Sequence, residues 1–191
     1  DRAEQLDLTH RIRRSLNDLQ RNYEEVGNYA APIILGLSDC NLADLLRQSF
    51  EDLKCEFADR QHQLEIVEPP QAACIRGDAH RIKQVFRNIF ENALAACPGV
   101  CHIEAHLESI ERDGSHFQCV EIRDHGSGFD DVALARVFEP FFTTKQSGTG
   151  LGMAICLRIV GAHGGTIEAS NAHDRGAIIR VEFPIRAPKS S

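Results

Sequence analysis

A long amphipathic stretch in the middle of the chain sets the first element of the fold. Residues 80–97 read HRIKQVFRNIFENALAAC, and Pro98-Gly99 follows them. The apolar residues recur at intervals of three and four, from Ile82 through Phe86 and Phe90 to Leu94. This period places them along one side of an α-helix, so the helix must be buried against another layer.

The segments around this helix predict a sheet. Asn41 is a suitable N-cap for an earlier helix with a face of leucine and phenylalanine. Asp113-Gly114 is typical of a hairpin turn. Strands are predicted over 63–69, 72–76, 102–110, 116–123, 166–170 and 177–184, and short helices over 130–137 and 151–163. This order predicts an α+β fold, a two-layer sandwich with helices on one face of a mixed, mostly antiparallel sheet.

The first thirty residues predict a separate helix that Pro32 ends. Its apolar residues alternate at spacings of four and three, as in a heptad seam: Ile12, Leu16, Leu19, Tyr23 and Val26. The helix either packs on its own domain or belongs to a coiled coil or dimeric bundle. We favour the second alternative, because the helix precedes every segment that resembles a core. The segment PIILGLSDC is then a linker, and we divide the chain into residues 1–37 and 38–191.

Composition and charge exclude some classes of function. The net charge of -7 argues against a general nucleic-acid binder, which needs clustered Lys and Arg. No apolar run approaches the ~20 residues of a membrane-spanning helix. Because the chain has neither a signal peptide nor an initiating Met, we expect a fragment of a longer protein, located in the cytoplasm even if its parent is a membrane-bound sensor.

The cysteine pattern is not that of a metal site. There are seven cysteines and no CxxC pair. Cys97, Cys101 and His102 lie close together in the sequence, but their spacing fits no common zinc pattern and a second ligand pair is missing. We therefore expect buried free thiols in a reducing cytosol.

Two glycine-rich clusters and an asparagine pair indicate a ligand site. The clusters are DHGSGFDD from Asp124 and GTGLG from Gly148. Neither fits a P-loop or a dinucleotide-binding turn, so a nucleotide site of another kind remains open. Asn88 and Asn92 lie one helical turn apart beside the apolar stripe. They either bond to neighbouring loops or contribute oxygen to a Mg²⁺ shell.

Four segments together resemble a known family. NIFENA, DHGSGF, FEPFFTTK and GTGLGMAI occur in this order and resemble the N, G1, F and G2 boxes of sensor histidine kinases. These kinases share the GHKL (Bergerat) ATPase superfamily with gyrase-type topoisomerases, heat-shock chaperones and mismatch-repair proteins. The resemblance covers residues from about 41 to 184. It implies a Bergerat-type fold preceded by a long helix of a dimerisation hairpin.

The resemblance also implies a function and its partners. The domain would bind Mg-ATP and transfer the γ-phosphate to a histidine on the dimerisation hairpin of the same protein. A response regulator would receive the phosphoryl group, and the full-length protein would be a homodimer. ATP and Mg²⁺ are the implied cofactors, and no nucleic-acid partner is expected.

The family's roles can be placed on individual residues. Asp124, at the head of a polar turn, would accept a hydrogen bond from the adenine amino group. Asn92 would ligate Mg²⁺ and also contact the nucleotide, while Asn88 and Lys145 would be the catalytic residues and contact the nucleotide too. Phe138 is interpreted as a hydrophobic anchor for the lid over the site. The other residues placed at the nucleotide or in its lid are Gly126, Gly128, Phe138, Thr143, Thr144, Gly148, Thr149, Gly150, Leu151 and Gly152.

The sequence departs from the family pattern at two places. Ala95 and Ala96 stand where many histidine kinases have a basic and an aromatic residue. No acceptor-histidine box is visible, because His10 lacks the acidic neighbour and the downstream proline. Residues 1–31 therefore resemble the second helix of the hairpin.

Two rival functions remain. An ATPase of the same superfamily would place a glutamate where this chain has Asn88, and an asparagine cannot act as a general base. A nucleotide-binding interaction module without kinase activity is the other alternative.

Overall fold

The computed structural model describes residues 31–54, 62–67, 74–97, 99–145 and 148–185, with single residues of the segment 9–30. The described residues of 9–30 are helical, and we call these described residues the N-terminal helix. The elements that follow are β1 (Ser38–Asn41), α1 (Leu42–Lys54), β2 (His62–Val67), β3 (Cys74–Gly77), α2 (Ala79–Ala96), β4 (Cys101–Arg112), β5 (Ser115–Asp124), α3 (Asp131–Arg136), α4 (Gly152–Ala162), β6 (Thr166–Asn171) and β7 (Ala177–Pro184).

Five of the strands form one sheet in the order β2-β4-β5-β7-β6. β2 runs parallel to β4 and the other neighbours are antiparallel, which confirms the predicted mixed, mostly antiparallel sheet. The hairpin between β4 and β5 turns at Asp113 and Gly114, whose φ angles are 53° and 71°. Two successive positive φ angles are what a tight hairpin with the natural strand twist requires.

A second, two-stranded sheet corrects one prediction. β1 pairs antiparallel with β3, with Ser38 opposite Gly77. Its first three residues lie in the segment predicted to be a linker. A strand this short has too few residues for a recognisable alternation, and pairing with its partner stabilises it. That partner lies almost forty residues away in the sequence. The division of the chain at residue 38 stays a prediction.

The core lies between the helices and one face of the five-stranded sheet. The apolar stripe of α2 is buried as predicted, and Phe86 and Phe90 are completely inaccessible. Burying each ring stabilises the fold by about 1.5–3 kcal/mol. Asn41 caps α1 as predicted, because its Oδ1 accepts hydrogen bonds from the main-chain N of Ala43 (2.9 Å) and Asp44 (3.3 Å).

The opposite face of the sheet, which we call the outer face, is polar. Several of the alternate residues of β4, β5 and β7 on this face carry charge. Arg180 lies 3.4 Å from Glu108 and 3.6 Å from Glu121, and Arg112 lies 2.7 Å from the buried carboxylate of Glu182. Because apolar and charged residues alternate along β4 and β5, one face of these strands packs against the helices and the other face is in contact with solvent.

The predicted seam of the N-terminal helix does not pack on the domain. Ile12, Leu16, Tyr23 and Val26 are between 45% and 79% exposed. Leu19 lies outside the described residues. The alternative in which this face packs on its own domain is therefore wrong for these four side chains. The dimeric bundle stays a prediction.

The C-terminal end of the N-terminal helix contacts the rest of the domain. The rings of Tyr29 and Phe141 lie 6.4 Å apart, and the Arg158 guanidinium lies 5.0 Å from the Tyr29 ring. Arg158 also donates a 3.0 Å hydrogen bond to the carbonyl of Ala31. Within the described part of the chain, no helix has both the length and the apolar character needed to cross a bilayer.

The cysteines are mostly buried. The six that the structure describes are free thiols, and Cys74 is exposed. The other five are buried, as predicted: Cys40, Cys97, Cys101, Cys119 and Cys156. Desolvation raises the pKa of Cys119 and of Cys156 to about 12. Cys55 lies outside the described residues.

Candidate nucleotide-binding site

Asn88 connects α2 to the beginning of α4. Its Nδ2 donates a 3.0 Å hydrogen bond to the carbonyl oxygen of Gly152. A Cβ on Gly152 would lie 3.7 Å from the Asn88 side chain, so the two elements are in van der Waals contact here. The structure thus shows the loop-bonding alternative for Asn88, and its amide group orients the helix that follows the second glycine cluster.

Asn92 lies one turn further along α2 and meets a cation. The ammonium Nζ of Lys145 donates a 2.6 Å hydrogen bond to its Oδ1. Desolvation lowers the pKa of Lys145, and the nearby carboxylate of Glu91 opposes that shift. An amide oxygen that already faces a positive charge suits a hard cation such as Mg²⁺, so the Asn92 side chain fits the predicted metal.

Asp124 is the last residue of β5 and is only 7% exposed. Its Oδ1 accepts hydrogen bonds from the main-chain N of Gly126 (2.8 Å) and Ala177 (3.3 Å). The described residues give its Oδ2 no hydrogen bond. Burial raises the pKa of this carboxyl group, while the two main-chain N–H groups oppose the rise.

The expectation that Asp124 sits in a polar turn is therefore wrong, because its side chain is buried at the end of β5. The strand runs one residue further than predicted, and the turn before β7 covers its end. Gly176 makes this approach possible: its φ is +97°, and any Cβ there would collide with the Asp124 carbonyl oxygen.

The first glycine turn packs directly on the end of α2. A Cβ on Gly126 would lie 2.8 Å from both Cβ and carbonyl oxygen of Ala96, so only glycine fits without displacement. Ala96, a departure from the family pattern, is thus a packing partner of this turn. Gly128 has a φ of +72°, a conformation that favours glycine.

Two further side chains hold this turn in place. Asn171 accepts from the main-chain N of Phe129 (2.7 Å) and donates to its carbonyl (2.8 Å). Arg175 donates from Nε to the carbonyl of Gly126 at 3.0 Å. Sequence reasoning missed both residues, and the only signal was the polar stretch NAHDR between the two closing strands.

The lid segment is anchored by aromatic residues. Phe138 is half-buried and packs against the core, and its role at the lid or the nucleotide stays a prediction. The Arg136 guanidinium lies 4.5 Å from the Phe142 ring. Phe141 is 64% exposed and reaches Tyr29 instead of the core.

The predicted polar lid residues follow these anchors. Thr143 accepts a 3.1 Å hydrogen bond from the main-chain N of Lys145 through Oγ1, and Thr144 is exposed. Residues 146–147 lie outside the described residues.

The second glycine cluster leads into α4, which begins at Gly152. Gly148 and Gly150 have φ angles of +130° and +70°, and a Cβ on Gly150 would lie 2.6 Å from the Phe142 carbonyl oxygen. Thr149 Oγ1 accepts from the main-chain N of Leu151 at 3.2 Å. Leu151, the residue before α4, is fully buried, and its side chain makes no capping hydrogen bond to the first turn. An anion at this turn would therefore be bound by main-chain N–H groups.

The structure brings the four boxes together around the C-terminal half of α2. Asn88 touches Gly152, Asn92 touches Lys145, and Ala96 touches Gly126. One helix therefore carries contacts to both glycine clusters and to the lid. The individual roles in nucleotide binding stay predictions.

The fold and the sequence both match known proteins. Residues 77–187 match the family of histidine kinase-, DNA gyrase B- and HSP90-like ATPases. The sensor histidine kinase ZraS of Klebsiella oxytoca is 31% identical over 185 residues, which are 96% of this chain and 38% of that protein. The chain spans about two fifths or less of the length of the curated relatives that it matches.

Two solved structures support the same assignment. The catalytic domain of histidine kinase ThkA is 27% identical, with a TM-score of 0.69, over 78% of this chain and 95% of that domain. Full-length ShkA in complex with AMPPNP is 27% identical, with a TM-score of 0.77, over 97% of this chain and 40% of ShkA. The chain belongs to the family of histidine kinase-, DNA gyrase B- and HSP90-like ATPases, and it contains the catalytic ATP-binding domain of the kind found in sensor histidine kinases.

Proposed function

We propose that this domain binds Mg-ATP and transfers the γ-phosphate to a histidine on the dimerisation hairpin of its own protein. The observation that carries the proposal is the environment of Asn88. Its amide nitrogen is bound to the Gly152 carbonyl, and an amide has no proton-accepting nitrogen to activate water. Glu91 is paired instead with Arg87 at 3.0 Å. This arrangement favours transfer to a protein acceptor over hydrolysis.

The nucleotide would lie between the two glycine clusters. Asp124 Oδ2 would accept from the adenine amino group, because Oδ1 is already used by the two main-chain N–H groups. The first turn of α4 would face the phosphates with its N–H groups. Asn92 Oδ1 would help to hold Mg²⁺, which would stabilise the negative charge of the phosphates.

Lys145 would move between two partners. In this structure its ammonium is bonded to Asn92, the proposed metal ligand. If Asn92 Oδ1 were engaged by a metal, the Lys145 ammonium would be available to contact a phosphate oxygen of the nucleotide. Catalysis of this transfer depends mainly on positioning and charge stabilisation, which these residues supply.

The proposed partners are the hairpin and a response regulator. The exposed apolar side chains of the N-terminal helix suit the second helix of a dimeric hairpin. Histidine kinase ThkA has been crystallised with response regulator protein TrrA, which supports a regulator as the acceptor of the relay. Because ATP is a cytoplasmic metabolite, the proposal also places this domain in the cytoplasm.

Transfer to a separate hairpin tests the proposal. The chain is incubated with γ-labelled ATP, with and without a purified hairpin that carries the parent's acceptor histidine. We expect no self-labelling, slow phosphate release, and labelling of the hairpin as a phosphoramidate that is labile in acid and stable in base. The transfer is slow relative to the tethered reaction, because tethering supplies effective concentration.

Controls separate the rival functions. Rapid phosphate release without any acceptor would support an ATPase. Failure to bind ATP in a calorimetric titration would support an interaction module without catalysis. Self-labelling that is lost in His10→Ala would show that the N-terminal helix is the acceptor helix.

A further inference from the structure

Two histidines and a glutamate converge on the outer face, the side of the sheet opposite the helices. His102 and Glu104 are alternate residues of β4, and His125 follows the last residue of β5. His125 Nε2 lies 3.0 Å from Glu104 Oε1, and His102 Nδ1 lies 3.9 Å from the same oxygen. One ligand atom from each residue lies within 4.8 Å of the other two. We call these three residues the outer-face cluster.

The two imidazole rings are held in a specific arrangement. Their centroids are 5.5 Å apart and their planes differ by only 5°. All three side chains are between 26% and 39% exposed, so an ion can reach them from solvent.

Further donors border the cluster. Glu65 Oε2 on β2 lies 3.5 Å from His102 Nε2, and His106 Nε2 lies 3.9 Å from Glu104 Oε2. The neighbouring cation, Arg123, lies 2.5 Å from Asp174, whose carboxylate offsets its charge. The local balance of donors and charge therefore favours a cation.

We propose that the outer-face cluster is a binding site for a divalent transition metal of the zinc type. Two imidazole nitrogens and one carboxylate oxygen are a donor set that such ions accept, with water in the remaining position. Ligand atoms around tetrahedral zinc lie about 3.3 Å apart, given bonds of about 2.0–2.1 Å. Small rotations of partly exposed side chains close the observed separations to that value. Mg²⁺ prefers oxygen donors alone, so this site is distinct from the one at Asn92.

The location links this site to the nucleotide site, a step that rests on the proposed function. Asp124 and His125 are consecutive, and their side chains point to opposite faces of the sheet. A metal ion that joins His125 to Glu104 of β4 restrains the strand end from which Asp124 reaches the adenine. Metal and ATP should therefore increase each other's affinity by the same factor.

Zinc titration tests the site directly. The starting protein has Cys55→Ser and Cys74→Ser, no histidine tag, and has been freed of metal by a chelator, so that neither the exposed thiol of Cys74 nor that of Cys55, which lies outside the described residues, competes. ZnCl₂ is titrated in a calorimeter into this protein and into its His125→Ala, Glu104→Gln and His116→Ala variants. His116 is an exposed histidine at the other end of β5 and serves as the matched control.

We expect one Zn²⁺ per chain in the starting protein and in His116→Ala. Affinity should fall by at least about tenfold in His125→Ala and in Glu104→Gln. Equal affinity in all four proteins would overturn the proposal. Circular dichroism checks the fold of each variant.

NMR provides a readout that needs no substitution. The ring resonances of His102 and His125 should move on zinc addition while those of His116 stay unchanged. The opposite pattern would overturn the proposal. If zinc binds but leaves the affinity for ATP unchanged, the link to Asp124 is wrong although the metal site stands. Absence of ATP binding with or without zinc refutes the proposed function alone.

Discussion

Replacing Asp124 with asparagine should separate ligand recognition from folding. The asparagine keeps an oxygen for the main-chain N–H groups of Gly126 and Ala177. The second carboxylate oxygen is replaced by the amide NH₂ group of asparagine. This hydrogen-bond donor would then face the amino group of adenine, which is also a donor. Two donors would meet where a charged acceptor met a donor.

The magnitude follows from the bond that is lost. A hydrogen bond to a charged group contributes roughly 1.5–3 kcal/mol, and 1.4 kcal/mol corresponds to a factor of ten. Affinity for ATP should therefore fall by about tenfold to a hundredfold in Asp124→Asn.

Two variants of this residue, Asp124→Asn and Asp124→Ala, should differ in their stability. Burial raises the pKa of Asp124, which means that ionisation of this group opposes folding. Asparagine resembles the protonated form, so Asp124→Asn should be at least as stable as the natural protein at neutral pH. Asp124→Ala leaves two main-chain N–H groups without their acceptor and should lose about 1–3 kcal/mol.

Calorimetry with ATP and denaturant unfolding measure both effects. Because the folded pKa is raised, the contribution of Asp124 to stability is fully present below the ordinary carboxyl pKa of 3.8 and is lost as pH rises through the folded pKa. Over that pH interval, the free energy of unfolding of Asp124→Asn should therefore rise relative to that of the unsubstituted protein. If Asp124→Asn bound ATP as tightly as the unsubstituted protein, Asp124 would not bind adenine. If Asp124→Asn were as unstable as Asp124→Ala, the argument that ionisation of the buried carboxyl opposes folding would be wrong.

Four other substitutions test the site and its supports. Asn92→Ala should weaken binding of Mg-ATP more than binding of ATP in EDTA, and equal losses in the two titrations would mean that Asn92 only packs. Asn171→Ala removes two hydrogen bonds to the first glycine turn and should lower the free energy of unfolding in urea by about 1–3 kcal/mol; an unchanged midpoint would show that other contacts hold the turn. Gly176→Ala should strongly destabilise the fold or prevent folding, whereas Gly161→Ala, in open space on α4, should stabilise it by about 0.5–1 kcal/mol; similar thermal midpoints for both would contradict the close approach at Gly176.

Periodicity was sufficient for the elements that bury their own apolar residues. α2 and β7 were predicted nearly to the residue, because the stripe of one and the alternation of the other are local. β1 was missed because its stability comes from pairing with β3. The burial of Asp124 was missed because Gly176 covers it from fifty residues away.

The site residues divide in the same way. The family motifs placed Asn92 and Lys145 in one site, but their direct bond depends on the lid conformation, which no motif encodes. Asn171 and Arg175 act through side-chain bonds to distant main chain, for which the sequence has no periodic signal.

The outer-face cluster shows a second reason for a missed contact. The sequence places His102 beside Cys97 and Cys101. Both cysteines are buried in the core. Strand alternation instead directs the histidine to the outer face, where pairing of β4 with β5 supplies its neighbours.

The buried thiols provide a built-in probe of local opening. Alkylating reagents attack the thiolate, and Cys156 is both inaccessible and has a pKa of about 12. Modification must therefore wait until α4 separates from α2, so its rate measures the free energy of that separation. ATP bound at the start of α4 should slow the modification of Cys156 in proportion to its occupancy, while exposed Cys74 continues to react at an unchanged rate.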